Sequence, residues 1–416
     1  MSARARYNMI LTQCAVCATE LGLSLGKKCG RCSTRYCGAE CQKQHWEAGG
    51  HDKLCKKIKK AGGAEQFHAN KRYTEAVAVA VEKCADDTKG QTCYICTQAL
   101  HWKTKEGLVR GCSCRGTAGL AHVSCLAEQA KILVAEALEN NLDRKAKNER
   151  WHRWDRCSLC EQQYHGVVAC ALGWACWKTY LGLPEKHYLR INSMQDLGNG
   201  LSAGKHHKDA LTVYEAELSL YRRLDAPEAH LLTAQGNLAS AYQMLGRVDE
   251  ALPLLRDVYS GTLRLNGEEK EETLTAAVNY ASSLGHMKHY AEAKSLLRKT
   301  IPVARRVLGD PHRLTLKLRW AFVEALYQND GVTLDELREA VTMLEEMKPT
   351  ARRVLGGAHP VTAGIERRLR EARDALRALE GDVRSIREAV EAVTPGLDAT
   401  DEEILAMMEE FKVGGA

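Results

Sequence analysis

The 416-residue chain is poor in proline and in aromatic residues: it has 3 Phe and 8 Pro, and aromatics make up 6%. With Ala, Leu, Glu and Arg abundant instead, this composition argues against a β-rich domain and predicts a mostly helical protein. Charge of one dominant sign is also lacking. Lys and Arg number 59 against 53 Asp and Glu, a formal +6 that is mild for this length, so a nucleic-acid partner is not expected. Long apolar runs are missing too. The longest, Gly166 to Trp177, stops at Lys178, short of the roughly 20 residues a bilayer span needs, and no transmembrane segment is expected. Residues Met1 to Leu11 hold no hydrophobic stretch long enough for a signal peptide. No phosphate-binding loop, hydrolase triad or methyltransferase motif occurs. The expectation is an intracellular protein, cytoplasmic or nuclear, in a reducing compartment.

Cysteine is what the chain has in excess: 17 residues, an odd number. In a reducing compartment tight Cys/His pairs bind metal rather than form disulfides. Between residues 93 and 160 there are four such pairs: Cys93 with Cys96, Cys112 with Cys114, His122 with Cys125, and Cys157 with Cys160. A pair one to three residues apart chelates from one turn, and two pairs complete a zinc tetrahedron, so four pairs make two sites. A second set spans residues 14–55: Cys14 with Cys17, Cys29 with Cys32, Cys37 with Cys41, and His51 with Cys55. His45 rivals His51 there. His51 is preferred because one helical turn would aim it and Cys55 at the same ion. The expected cofactor is four structural zinc ions. So small a module cannot bury a sufficient core, and structural zinc is worth on the order of 10 kcal/mol of folding energy.

The segment 93–165 resembles the RING-CH (RING-variant) zinc finger family. The resemblance rests on the one-residue gap in Cys112-Ser-Cys114, the seven residues leading to His122, the phrase His122-Val-Ser-Cys125-Leu126, and the closing Cys157-Ser-Leu-Cys160. A PHD finger has the same ligand types but a wider second pair, and it prefers a Trp two residues before the seventh ligand. Here Trp154 sits one place too early. The resemblance implies a cross-brace, with Cys93, Cys96, His122 and Cys125 on one zinc and Cys112, Cys114, Cys157 and Cys160 on the other. It also implies a ubiquitin–protein ligase that docks a ubiquitin-conjugating enzyme, with Ile95 and Leu159 as candidate contacts. Finger-core packing is the alternative reading of both. The chain departs from ordinary RING fingers in carrying Ser158 inside the last pair and Glu161 after it, where Pro and a basic residue are common.

Residues 14–55 resemble the MYND zinc finger, through Tyr36-Cys37-Gly-Ala-Glu-Cys41-Gln42 and Trp46, with Gly49-Gly50 as a small insertion. That family implies Cys14, Cys17, Cys37 and Cys41 on one zinc and Cys29, Cys32, His51 and Cys55 on the other. It also implies a surface for short peptide segments, for which Gln42 and Trp46 are candidates; packing of the module's small core is the alternative reading of Trp46. Lys56 to Lys60 form a basic run read as a solvated face. Cys84, Cys170 and Cys176 lie outside any pair and are read as buried hydrophobes.

From about residue 190 the chain repeats. Ala239 to Ala281, Ala251 to Ala293 and Gly267 to Gly309 are each 42 positions apart, while Gly309 to Gly356 is 47. The phrase Ala304-Arg-Arg-Val-Leu-Gly309 returns as Ala351-Arg-Arg-Val-Leu-Gly356. These helix-turn-helix units resemble tetratricopeptide repeats of the kinesin-light-chain variety, which implies a protein or peptide ligand on the array. Thr400 to Glu403 reads as a capping box that starts a last helix.

The expected architecture is mostly α: two small cross-brace zinc modules followed by an α-solenoid. A finger at 14–55, a linker helix at 64–88, a second finger at 93–165, a connecting helix at 166–185, repeats at 190–375 and capping helices at 376–416 make up the chain. The expected function is a RING-CH-type ubiquitin–protein ligase that takes substrate or partner through the repeats and the first finger. The alternatives are a non-enzymatic interaction scaffold and a chromatin-associated PHD-like reader.

Overall fold

The computed structural model describes residues 14–393, apart from 18, 20, 22–25, 329–331 and 358. The expected final helix after Thr400 lies outside the described residues, as does the insertion at Asn329 to Gly331. The fold is mostly helical and divides into two compact units, Met1–Leu254 and Leu255–Ala416.

The first unit opens with a two-stranded ribbon, β1 (Lys27–Lys28) and β2 (Arg35–Tyr36), antiparallel with Lys27 opposite Tyr36. Helices α1 (Ala39–Glu47) and α2 (His51–Lys60) follow, joined through Gly50 in the left-handed conformation at φ 70°. Their apolar cluster is tiny: Leu21, Tyr36, Ile58 and Ala64, with the buried cysteines. Helix α3 (Ala64–Thr88) continues from it. Its first residues, Ala64 and Phe67, pack in this cluster. Ala69, Tyr73, Val77, Ala80 and Cys84 then join the next one. The helix therefore bridges two cores, and its buried stripe is the one the 3.6-residue period dictates.

The second module is mostly loop until α4 (Val123–Glu139). Val123, Leu126, Ala130, Val134 and Ala137 are its buried face, whereas Leu138 is exposed. Asp143 caps the short, basic α5 (Arg144–Trp151) by accepting from the Ala146 backbone at 2.8 Å, and a 3-10 turn leads to Trp154. Helix α6 (Gly166–Tyr180) is buried on nearly every side. It packs on α7 (Tyr188–Ala203) closely enough that a Cβ at Gly173 would lie 2.8 Å from the Asp196 carbonyl oxygen, and one at Gly200 2.6 Å from that of Ala169. Helices α8 (His207–Arg223) and α9 (Glu228–Met244) complete this core, which runs without a break from Ala69 to Ala241. Two carboxyls are trapped in it. Burial pushes Asp196 and Glu217 each up to about 8, and Cys176 donates to Asp196 at 3.7 Å.

Helix α10 (Val248–Asn266) begins in the first unit and ends in the second. The second unit continues with α11 (Glu271–His286), α12 (Tyr290–Leu308), α13 (Arg313–Tyr327), α14 (Leu334–Leu355) and α15 (Pro360–Val393). Short turns make consecutive helices neighbours, and their facing sides form one core from Leu274 to Ala372. The repeat shows in single hydrogen bonds. Thr273, Thr315 and Thr362, all buried, donate to the carbonyls of Thr262, Ala304 and Ala351, each eleven positions back in the preceding helix. His312 and His359 each accept from a backbone N–H two residues on, which starts α13 and α15 alike. Thr333 and Glu336 form a reciprocal capping box at the start of α14.

Candidate metal centres

Three of the four metal centres contain a turn that the sequence writes several times. At Cys29, Cys93 and Cys157 the residue four positions on donates its N–H to the cysteine carbonyl, at 2.9, 2.8 and 3.0 Å. The cysteine N–H donates to the carbonyl five positions on, at 2.8, 3.0 and 3.0 Å. The residue four positions on is left-handed in all three: Ser33 at φ 61°, Thr97 at φ 61° and Glu161 at φ 55°. A turn of this shape brings the thiols of both cysteines of a C-x-x-C pair to one side.

The sixteen expected ligands come together in four groups, and in each group the ligand atoms all lie within 4.8 Å of one another. The groups are Cys14, Cys17, Cys37 and Cys41; Cys29, Cys32, His51 and Cys55; Cys93, Cys96, His122 and Cys125; and Cys112, Cys114, Cys157 and Cys160. In both modules the first pair joins the third and the second joins the fourth, the interleaving of a cross-brace. Distances test the fit. Sulfurs held about 2.3 Å from a tetrahedral zinc lie about 3.8 Å apart, and a ring nitrogen about 2.0 Å out lies about 3.5 Å from each sulfur. Here Sγ to Sγ is 3.5 Å for Cys17 to Cys37 and for Cys37 to Cys41, 3.7 Å for Cys17 to Cys41 and for Cys114 to Cys157, and 3.8 Å for Cys29 to Cys55. His51 Nε2 is 3.3 Å from Cys32 Sγ, and His122 Nδ1 is 3.4 and 3.5 Å from Cys96 and Cys125 Sγ. These separations are far too long for disulfides, near 2.05 Å, and they fit zinc. Four protein ligands per ion leave no position for a bound water, so the sites are structural.

The two histidine ligands use different nitrogens. His122 faces its cluster with Nδ1, and its Nε2 lies 3.3 Å from the Ala99 carbonyl, a contact that orients the ring. His51 presents Nε2 from the first turn of α2, one turn before Cys55. His45 falls outside the ligand groups: its Nδ1 meets the Tyr36 hydroxyl at 3.0 Å, and its buried ring lies 4.8 Å from that of His51, tilted by 34°. Gly119 is required between Cys114 and His122. Its φ is +74°, and a Cβ there would stand 2.6 Å from Cys114 Cβ and 2.9 Å from Cys112 Sγ. Cys84, Cys170 and Cys176 are buried away from the four groups, and burial raises each thiol above its ordinary range.

The candidate partner residues are surface residues to different degrees. Ile95 is 36% exposed, Leu159 52% and Trp46 44%, while Gln42 is half-buried. The knuckles of Ile95 and Leu159 are tied together by Tyr94 Oη and Ser158 Oγ at 3.0 Å. Ile95 lines an apolar groove of about 390 Å³ with Trp102, Ile132 and Leu133, flanked by Glu128 and Gln129. Leu159 is outside its lining. Trp102, 69% exposed, and Ile132, 47% exposed, were not among the expected site residues. Trp102 sits on a fourth copy of the knuckle turn: Lys105 N–H donates to the His101 carbonyl at 2.9 Å, His101 N–H to that of Glu106 at 3.0 Å, and Lys105 has φ 59°. No cysteine marks this copy. His101 Nδ1 accepts instead from the Thr104 backbone at 3.1 Å.

The lysines of α2 behave as the expected solvated face: Lys53, Lys56, Lys57, Lys59 and Lys60 are all exposed, opposite buried His51, Cys55 and Ile58.

Comparison with known proteins agrees with two of the modules. Residues 14–55 match the family model of the MYND finger, and residues 230–306 match that of a tetratricopeptide repeat. No curated protein matches the chain. Among solved structures, it is similar to a Podosopora anserina kinesin light chain protein with nearly identical TPR-like repeats, at 20% identity and a TM-score of 0.36, over 56% of this chain and 97% of that one. These values come from a point variant of that protein; its unsubstituted form gives 20% identity and a TM-score of 0.35 over the same shares. BtubC (BKLC) from P. vanneervenii is similar at 12% identity and a TM-score of 0.33, over 61% of this chain and 91% of that one. The chain is thus a zinc-binding protein with a MYND finger and tetratricopeptide repeats, and no described helix is long and apolar enough to cross a membrane.

Proposed function

We propose that the chain is a RING-CH-type ubiquitin–protein ligase that docks a ubiquitin-conjugating enzyme on the second zinc module. The apolar groove beside the Cys93–Cys96 knuckle carries this reading. Its walls are Ile95 on the knuckle, Trp102 on the adjoining turn, and Ile132 and Leu133 on α4. Three large apolar side chains left open around one concavity, with Glu128 and Gln129 at the rim, have the anatomy of a docking site: an apolar anchor pocket with a polar border. Leu159, on the tied neighbouring knuckle, extends the surface. The module brings no nucleophile of its own. A substrate amine attacks the thioester on the conjugating enzyme, the amide forms, and the thiol leaves on that enzyme. The ligase contributes proximity and orientation.

The first finger and the repeats would bring protein or peptide partners to this site. On the finger, Trp46 stands open at the surface with its ring 5.8 Å from that of His51, next to Gln42, an arrangement suited to a short apolar peptide segment. The zinc-replete full-length chain, assayed for ubiquitin-chain formation with a panel of conjugating enzymes, tests the proposal; no chains with any of them would refute it.

One observation favours a non-enzymatic scaffold instead. Glu161 follows the last ligand pair and engages Arg153 through two bonds of 3.1 and 2.7 Å, so this guanidinium is held by its own module. In this reading the four zincs are the same, the groove holds a structural partner, and transfer is absent.

A further inference from the structure

We propose that a second, polar groove on the first unit, formed by α3, the His101–Glu106 turn, α4 and α6, binds an extended acidic segment of a partner protein. The groove encloses about 840 Å³ and adjoins the apolar one, with which it shares His101, Trp102, Ser124 and Glu128. Three lysines line it: Lys103 from the turn, Lys131 from α4 and Lys178 from α6. It has a single carboxylate, Glu128, which is occupied by Lys131 at 3.3 Å. Among the described residues, neither Lys103 nor Lys178 forms an ion pair.

Lys178 is the informative one. Its ammonium stands 3.7 Å above the ring of Tyr73, and burial makes its charge harder to hold. The nearest acid acting on it, Glu106, spends its carboxylate on the start of α4, accepting from the Ser124 backbone at 2.6 Å and its hydroxyl at 3.0 Å. A partly desolvated cation with only an aromatic face beneath it attracts an incoming carboxylate more strongly than an exposed lysine would.

Backbone recognition is supplied beside it. Gln66 is fixed by donating to Asn70 Oδ1 and to the Lys178 carbonyl, both at 3.1 Å. Asn70 also lines the groove, and with its Oδ1 taken by Gln66 its amide N–H groups are the part that would donate to a peptide carbonyl. Trp102 offers an open aromatic face at the rim for an apolar side chain. Two spare cations separated by an amide and an indole suit a peptide with spaced Asp or Glu. A nucleic-acid backbone would call for a continuous row of cations, and α2, not this groove, carries such a row. Identifying the occupant as a ubiquitylation substrate rests on the ligase reading; the binding itself does not.

A randomised decapeptide library displayed on phage, selected against the zinc-loaded full chain, tests the assignment. Selected sequences should be enriched in Asp and Glu, and their affinity should fall as salt is raised. Lys178→Met, which keeps an unbranched side chain and removes only the charge beside Tyr73, and Lys103→Met on the exposed turn should each weaken the selected peptide by about tenfold. Ile132→Ser, which alters only the apolar groove, should leave it unchanged. Failure to enrich acidic sequences, indifference to both lysine substitutions, or full displacement by millimolar inorganic phosphate would overturn the proposal. Should Lys178→Met lose zinc or thermal stability, Lys103→Met decides alone. Peptide binding without chain formation would sink the ligase reading and leave the groove standing, and chain formation without acidic-peptide selection would do the reverse.

Discussion

Trp102→Ala should cut ubiquitin-chain formation far more than it cuts stability. A Trp offers about 150–250 Å² of surface to bury. With 69% of Trp102 open, about 150 Å² is available to a partner. Covering half of that at about 25 cal/mol per Å² is worth about 2 kcal/mol, or about thirtyfold in affinity. The fold loses little, because the residue stands on an exposed turn with its ring 6.0 Å from that of His101; a surface change of this kind costs below about 1 kcal/mol. Ile132→Ser should act in the same sense, since the side chain is 47% exposed on the outer face of α4.

Ile95→Ala is the poorer test. Only 36% of Ile95 is exposed, so truncation removes packing inside the finger as well as contact outside it. It should lower both chain formation and thermal stability, the latter by about 1–2 kcal/mol. The assay is multi-turnover chain formation with one productive conjugating enzyme, paired with zinc content and a thermal melt for each variant. If Trp102→Ala and Ile132→Ser both stay within about twofold of wild type at limiting enzyme, the groove is not the docking surface, and the reasoning from exposure fails.

Elemental analysis should find four zincs per chain, and Cys84→Ala should leave that number unchanged; two or fewer ions, or iron with acid-labile sulfide, would contradict the ligand sets. Gly119→Ala should lose one zinc, from the Cys112, Cys114, Cys157 and Cys160 site, because its Cβ would enter the space of two ligands; full zinc content in this variant would refute the steric argument. Chelation should loosen the first unit as far as α9, since the second zinc module and α6 to α9 share one core. Hydrogen exchange in α11 to α14 should stay slow, and a uniform rise across both units would refute the division. Burial keeps Asp196 and Glu217 protonated in the fold, with values of about 8. Their contribution is full below their unfolded values of about 4, and it is lost as pH rises through about 8. Between pH 6 and 8 wild type should therefore lose stability with rising pH relative to Asp196→Asn, read as urea midpoints; equal slopes would refute burial as the cause.

Much of this molecule was legible because zinc imposes spacing on sequence. A ligand pair must close one turn, so its separation is written locally, and all sixteen ligand positions fall in the four clusters. Even the choice of His51 over His45 followed from helical geometry, since only His51 stands one turn from Cys55. The repeats were legible for the same kind of reason: identical helix pairs need identical small residues and stops, and the buried Thr273, Thr315 and Thr362 keep the 42- and 47-residue steps. The division near Leu254 was not legible. It depends on which helices share a core, and α6 joins the second finger through contacts such as Gly111 against Val168, which no local period records.

The docking residues were hidden by a different cause. Trp102 stands on a knuckle turn that keeps the hydrogen bonds and the left-handed residue of the cysteine knuckles but has lost the cysteines. Searching for metal ligands passes over it, because its signature is the turn's backbone and not a side chain. Ile132 is hidden by its register: it falls beside the buried stripe of Leu126, Ala130 and Val134, where a polar residue is the rule on an amphipathic helix. An apolar residue off the stripe and a Trp in a polar loop each mean little alone. Placed around one groove with Ile95, they become a patch that folding has no use for. Such a patch persists in a folded surface at a cost in solubility, which a partner's apolar side chain would offset by covering it.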